Sequence, residues 1–294
     1  MKKSSDYLVD YKNQNQAVKL FRQHFHIPES GTGLELLRNI LEHFSKFPYE
    51  NISKILKYNQ FYESIKKIRL PNEVMKDHIK HHLGGTCFSL TYFLETVLTL
   101  NGFQCYPILA DMRSGRNVHC AIVVILDHDK FLVDPGYLLN QPIQLGKQDT
   151  VLMRTGGSGI QLTCQRKKNM YSLFTFTESG KTWRYSFADN PVPNEIFLRY
   201  WLESFSWNTM HGLCLTKIER DKMIYIHKYF MRETTASTKR NFNIRMNYST
   251  TINTIFNISG DLVKDALDAL QGNLQREREL GIWIPRKKSG DSLK

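Results

Sequence analysis

Apolar side chains recur at three- and four-residue spacings over residues 17–26 and 34–47, with Gly31 and Gly33 between them, and this predicts two helices. The second breaks at the proline of Phe47-Pro48-Tyr49-Glu50-Asn51-Ile52, because proline lacks an N–H and collides with the preceding turn. The densest helical pattern is Phe88, Leu90, Thr91, Leu94, Val97, Leu98 and Leu100, closed by Asn101-Gly102. From Gly102 the period shortens. Residues 106–110, 118–126 and 130–133 read as strands, followed by 162–164, 171–177 and 182–187 between Gly-, Ser- and Lys-rich turns. Regular short strands predict a small antiparallel sheet or barrel. After Pro191-Val192-Pro193 the character mixes again: a helix over 196–205, strands within 213–230, and a helix over 259–270 with Ser259 as N-cap and Asp261 in its first turn. The terminal RKKSGDSLK is polar and reads as a loose tail.

Composition narrows the class. The chain has 294 residues, enough for two or three domains with their own cores, and 41% hydrophobic with 23% charged residues is ordinary for a globular protein. MKKSSDYLVDYKNQNQ has no apolar stretch, so no signal peptide is expected, and the longest apolar run, 120–126, is too short to cross a bilayer. Five scattered cysteines without CxxC spacing argue against a disulfide framework or a zinc site and fit a reducing cytoplasm; no metal is expected. Asn51, Asn247 and Asn257 begin glycosylation patterns that carry no meaning in such a compartment. The net charge of +12 is compatible with nucleic acid, an acidic membrane surface or a polyanionic small ligand. The basic residues are dispersed as Lys66-Lys67-Arg69, Arg166-Lys167-Lys168, Lys239-Arg240 and Arg286-Lys287-Lys288. They read as solvated surface, and no nucleic-acid motif accompanies them, so neither nucleic acid nor membrane is expected as a partner.

Candidate chemistry centres on Gly84-Gly85-Thr86-Cys87, where a loop becomes the apolar helix. A helix N-terminus favours negative charge, so a thiol there has its pKa lowered and gains nucleophilicity; alone, Cys87 reads equally as a small core residue. A thiol needs a base, and a base needs an orienting group. With Asp127-His128 as a two-residue hairpin turn, Asp134 faces Ala121, and His119 lies two positions along on the same face of the sheet. His119 and Asp134 are then diagonal cross-strand neighbours, within reach of long side chains. Each alone has a plain structural reading, a satisfied histidine and a turn aspartate before Pro135-Gly136. Together with Cys87 they are the parts of a Cys-His-Asp triad. His81 and His82 stand too near Cys87 in sequence to be sure partners, and His128 is at the turn tip.

These residues resemble the arylamine N-acetyltransferases. That family carries Arg-Gly-Gly-x-Cys, then a strand histidine, then Val-Asp-x-Gly-Phe/Tyr, which Gly84-Gly85-Thr86-Cys87, His119 and Val133-Asp134-Pro135-Gly136-Tyr137 are similar to. Pro48-Tyr49-Glu50-Asn51 is similar to its Pro-Phe-Glu-Asn segment, and the resemblance runs in order from about residue 15 to 205 before fading. It implies an α+β fold with a transglutaminase-like Cys-His-Asp core: an N-terminal helical bundle (1–101), a central antiparallel β-barrel (102–205) and a C-terminal α/β lid (206–294). It implies ping-pong transfer of an acetyl group from acetyl-CoA as co-substrate, through acyl-Cys87, to an arylamine or hydrazine. Tyr137, with Phe88, is expected to line the acceptor slot, and Arg113 and Arg116 to meet the donor's phosphates. The family's arginine is Leu83 here, and its Glu and Asn after the cysteine are Ser89 and Thr91. Glu50 thereby loses an expected cationic partner. The same triad serves a thiol hydrolase, an amide synthase or a transglutaminase-like enzyme, and a catalytically idle polyanion-binding protein is the alternative from another class.

Overall fold

The computed structural model describes residues 14–28, 31–155 and 157–282; the first residues of the N-terminal segment, the Arg286-Lys287-Lys288 cluster and the RKKSGDSLK tail lie outside them. Helices α1 (Asn15–His24), α2 (Gly33–Phe44), α4 (Pro71–His81) and α5 (Cys87–Leu100) share an aromatic-rich core in which Phe21, Phe44, Phe47 and Phe93 meet ring to ring. Helix α5 is apolar on every side and is buried from Cys87 to Leu98, as a helix without a polar face must be. It packs on α1, α4, β2 and β3, and Cys87 is its first residue. Helix α2 stops at Phe44, three residues before the expected end, so that Phe47 packs from a turn rather than from a helix face.

The strands β2 (Gln104–Met112), β3 (Gly115–Leu126), β4 (Asp129–Val133), β5 (Ile143–Leu145), β6 (Thr150–Arg154), β7 (Gly159–Gln165), β8 (Met170–Thr177) and β9 (Gly180–Ala188) form one antiparallel sheet in the order β5-β4-β3-β2-β9-β8-β7-β6. Ala121, Val123, Leu132, Ile160, Leu173 and Tyr185 come from strands far apart in that order yet share one core, so the sheet curls into a nearly closed barrel. The β3–β4 hairpin has the expected register, with Leu126 opposite Asp129 and Ile122 opposite Val133. Its turn residues Asp127 and His128 both adopt left-handed φ values, 50° and 68°, which matches the right-handed twist of the flanking strands.

A second antiparallel sheet has the order β1-β10-β11-β12-β13, where β1 (Tyr49–Glu50) precedes α3 (Ile52–Gln60), and the others are β10 (Cys214–Glu219), β11 (Lys222–His227), β12 (Phe230–Thr234) and β13 (Lys239–Asn243). The proline break after Phe47 therefore releases an extended pair that edges a sheet built from the other end of the chain. Asn51 secures the join: its amide donates to the carbonyls of Thr209 and Gly212, and its side-chain oxygen accepts from the Cys214 N–H, all at 2.8 Å. Helix α6 (Asn194–Glu203) leads into this half, and α7 (Tyr248–Phe256) and α8 (Gly260–Glu279) close it, α8 packing on α3. Ser259 caps α8 by accepting from the Leu262 N–H, as its position predicts, and the helix continues nine residues past the expected end at Leu270. Among the described residues no helix is long and apolar enough to cross a membrane.

Candidate active site

The Gly84–Cys87 loop is stitched to the segment that follows Phe47. Glu50 N–H donates to the Gly85 carbonyl at 3.0 Å, and Tyr49 pairs with Gly85 in a parallel bridge. Gly84 lies so close to the Pro48 carbonyl oxygen that a Cβ there would overlap it. That close approach is the physical content of the Gly-Gly pair. Thr86 is extended, and Cys87 is the first residue of α5, where the peptide N–H groups have no intrahelical acceptor.

Arg69 holds this loop from below, and its placement corrects the reading of Lys66-Lys67-Arg69 as one solvated cluster. It is 3% exposed. Its Nη1 donates to the Gly84 carbonyl at 2.7 Å and to Ser53 Oγ at 2.6 Å, and Nη2 donates to Asp77 at 2.7 Å. Ser53 Oγ in turn donates to Glu50 Oε1 at 2.6 Å, with Arg69 Nη1 3.7 Å from that oxygen. Burial pushes the Glu50 carboxyl up, and Arg69 opposes it. The cation that Leu83 cannot supply thus reaches Glu50 from the segment just before α4, and Leu83 itself packs in the core.

Strand β3 brings His119, and the end of β4 brings Asp134, to Cys87. His119 Nε2 lies 2.8 Å from Asp134 Oδ2. The ring stands beside Cys87, since one Cβ on Gly136 would touch both His119 Cε1 and Cys87 Cβ, and with Nε2 engaged, Nδ1 is the nitrogen left for the thiol. Asp134 is fully buried and accepts two further bonds, from Tyr185 OH to Oδ2 at 2.7 Å and from the Tyr137 N–H to Oδ1 at 3.0 Å. The Cys120 thiol beside Cys87, the His119 imidazolium and the Lys54 ammonium outweigh burial and hold the Cys87 thiol well below its usual range. Burial alone would lower the His119 pKa; Asp134 and the Cys87 thiol reverse that and raise it to about 10. Both shifts favour the thiolate–imidazolium form of the pair. Gly136 completes the site from the side. A Cβ there would stand 2.8 Å from His119 Cε1 and 3.1 Å from Cys87 Cβ.

Tyr137 meets His119 edge-on at 5.2 Å between ring centroids and is partly exposed. Phe88 turns the other way. It has no exposed surface and packs on Phe197, Trp201 and the partly exposed Trp207. Arg113 and Arg116 flank the exposed β2–β3 turn, and Arg116 Nε lies 3.9 Å from Asp111. His82 is an exposed, left-handed C-cap of α4, and His128 is exposed on its turn; neither these nor His81 faces the thiol. Among the described residues no group of His, Cys, Asp and Glu is arranged to hold a metal. Sequence reasoning missed Tyr185 and Lys54. Tyr185 sits in an expected strand, but only barrel curvature shows that it reaches Asp134 across β2 and β3.

Comparison with known proteins gives the class of enzyme to which this fold belongs. A family model described as N-acetyltransferase matches residues 33–264, well past the point where the motif resemblance fades, and the chain belongs to that family. The arylamine N-acetyltransferase from Mycobacterium abscessus superposes with a TM-score of 0.75 at 17% identity, covering 89% of this chain and 97% of that one. The enzyme from Salmonella typhimurium gives 0.69 at 15% identity, over 86% and 98% of the two chains. An arylamine N-acetyltransferase from Bacillus cereus, described as having a Cys-His-Glu catalytic triad, gives 0.64 at 19% identity, over 83% and 98%. No protein of curated function matches the sequence.

Proposed function

We propose that this acetyltransferase moves an acetyl group from a coenzyme A thioester to an aromatic amine or hydrazine through an acyl-cysteine on Cys87. The observation that carries the reading is the 2.8 Å His119–Asp134 bond on a ring set beside the thiol at the first residue of α5. The Cys87 thiolate attacks the thioester carbonyl, a C–S bond forms, and coenzyme A leaves as a thiolate that takes the His119 proton. Neutral His119 then accepts the proton of the attacking amine. The new C–N bond forms as the C–S bond to Cys87 breaks, and the ion pair is restored. Asp134 fixes the ring; the Bacillus cereus relative is described as having a Glu as the carboxylate of its Cys-His-Glu triad. In this reading residues 1–101 supply the nucleophile, 102–205 supply His119 and Asp134, and 206–294 form the lid. A cytoplasmic setting, where thiols stay reduced, suits the nucleophile.

An arylamine reaches the site neutral at pH 7, whereas an alkyl amine must first lose a proton at about 1.4 kcal/mol per pKa unit. Tyr137, set against His119, is the wall on which the ring stacks, with Phe88 buried behind Trp207 as support. Arg113 and Arg116 are the donor's phosphate contacts. The test is an acceptor panel on pre-acetylated enzyme: aniline, a hydrazide, an alkyl amine and water. Discharge to the aniline or hydrazide ahead of the alkyl amine, weakened by Tyr137→Ala, is expected. Fastest discharge to water with no amide formed would make the protein a hydrolase.

A further inference from the structure

Lys54, in the first turn of α3, shares the core that contains Cys87, Phe88, Trp201 and Phe205. It is 6% exposed. Its ammonium donates to the Ser204 carbonyl at 2.9 Å and to Ser204 Oγ at 2.6 Å, and lies over the rings of Phe205 at 4.6 Å and Trp207 at 5.9 Å. All of these partners are neutral. An ammonium has three donors, and the third has no hydrogen-bond partner among the described residues. No carboxylate among those residues pairs with it. A cation is costly to bury in this way unless an anion faces it.

The same core holds two thiols, Cys87 on α5 and Cys120 on β3, and Trp207, under the ammonium, packs on Phe88 next to Cys87. The two thiols are the groups whose negative charge Lys54 senses. Cys120 is the neutral one: its Sγ donates to Thr91 Oγ1 at 3.4 Å, and burial with the Cys87 contact pushes its pKa up. The titratable groups that act on Cys87 are Cys120, His119 and Lys54, with the Tyr49 and Tyr137 hydroxyls, and Asp134 stands behind His119. The anion that answers Lys54 is therefore the Cys87 thiolate. We propose that Lys54 is a positioning residue for the nucleophile, a second buried cation, clamped by Ser204, that holds Cys87 ionised independently of His119. This rests on the reading of Cys87 as the nucleophile and adds to it. Acylation cancels the thiolate and leaves Lys54 facing a neutral thioester, so Lys54 also favours the departure of Cys87 as a thiolate when the amine attacks. Burial lowers the Lys54 pKa to about 8, so its charge is present at neutral pH and is lost as pH rises through that value.

The test is the pH dependence of Cys87 alkylation by iodoacetamide in the full chain, alongside thiolate absorbance, for the wild type, Lys54→Met and Lys54→Arg, with thermal melting to verify folding. Removing this buried cation is expected to raise the Cys87 midpoint by about one pH unit in Lys54→Met, with Lys54→Arg restoring it. A folded Lys54→Met chain with an unmoved midpoint overturns the proposal, as does a folded Lys54→Arg chain no better than the methionine variant. Should Lys54→Met fail to fold, the reciprocal measurement decides. In Cys87→Ser the Lys54 midpoint, read by pH-dependent amine labelling and peptide mass, is expected to fall by about one pH unit. An unmoved Lys54 midpoint overturns the proposal. Absence of acetyl transfer with the Lys54–Cys87 coupling intact would count against the proposed function alone.

Discussion

Gly136→Ala is the smallest change that tests whether the three side chains work as one unit. The added methyl would sit 2.8 Å from His119 Cε1, 3.1 Å from Cys87 Cβ and 3.3 Å from Asp134 Oδ1, against ordinary contact at 3.4 Å and beyond. It therefore touches all three residues, and the ring must give way by about 0.6 Å. The ring cannot simply retreat. Asp134 holds Nε2 at 2.8 Å, Tyr185 lies 4.8 Å away and Tyr137 5.2 Å away, centroid to centroid. Displacement either stretches the bond to Asp134 or opens the gap to Cys87. Misplacement on the order of 1 Å costs about 100-fold in rate, and overpacking of this size costs about 1–3 kcal/mol of stability. In a domain this large that loss lowers Tm by only a few degrees. The assay is single-turnover acetyl transfer from acetyl-CoA, with iodoacetamide alkylation of Cys87 and thermal melting in parallel. A folded variant with transfer reduced about 100-fold and slowed alkylation is expected. Transfer and alkylation at wild-type rates would mean that the close packing of Gly136 on the three side chains has no functional consequence.

Further outcomes follow from the same geometry. Of the mapped cysteines, Cys87 should be alkylated first and stay reactive below pH 7, while burial pushes Cys105 up to about 12 and Cys214 up to about 11; peptide mapping that finds another cysteine first contradicts the thiolate assignment. Tyr185→Phe removes one of three donors to buried Asp134 and should lose about 1–3 kcal/mol in thermal or denaturant unfolding, with slower acyl transfer; an unchanged rate would confine Tyr185 to packing. Arg69→Met leaves Glu50 buried without a cation and should cost about 3–5 kcal/mol, partly recovered by adding Glu50→Gln; no recovery in the double variant would show that Arg69 acts through Gly84 and Asp77 instead. Arg113→Ala with Arg116→Ala should raise the KM for acetyl-CoA and spare a phosphate-free thioester, and equal effects on both donors would remove the phosphate role.

Much of the site is legible in the chain because its parts obey local rules. Asp127-His128 fixes the β3–β4 register, and the period of two then sets His119 and Asp134 on one face. Gly84 and Gly85 mark a loop pressed against another backbone, and the apolar run after Cys87 marks a buried helix. What escaped depends on long-range closure. Tyr185 reaches Asp134 only because the sheet curls, and Lys54 meets Ser204 only because the segment after α6 folds back on α3. Arg69 looked like one more basic residue beside Lys66 and Lys67, and no local pattern marks it as the partner of Glu50. β1 is two residues long and pairs with a strand more than 160 positions away. β13, Lys239–Asn243, is exposed along its whole length, so no alternation of apolar and polar residues announces it.

The central claim is that Cys87 carries the acyl group, and one measurement addresses it directly. The full chain is given a short pulse of acetyl-CoA, quenched in acid, and weighed intact before peptide mapping. A gain of one acetyl group, located on the peptide that contains Cys87, absent in Cys87→Ser and discharged as an amide when an aromatic amine is added, is the expected result. No acyl gain, or an acetyl group carried equally by Cys87→Ser, would contradict the account.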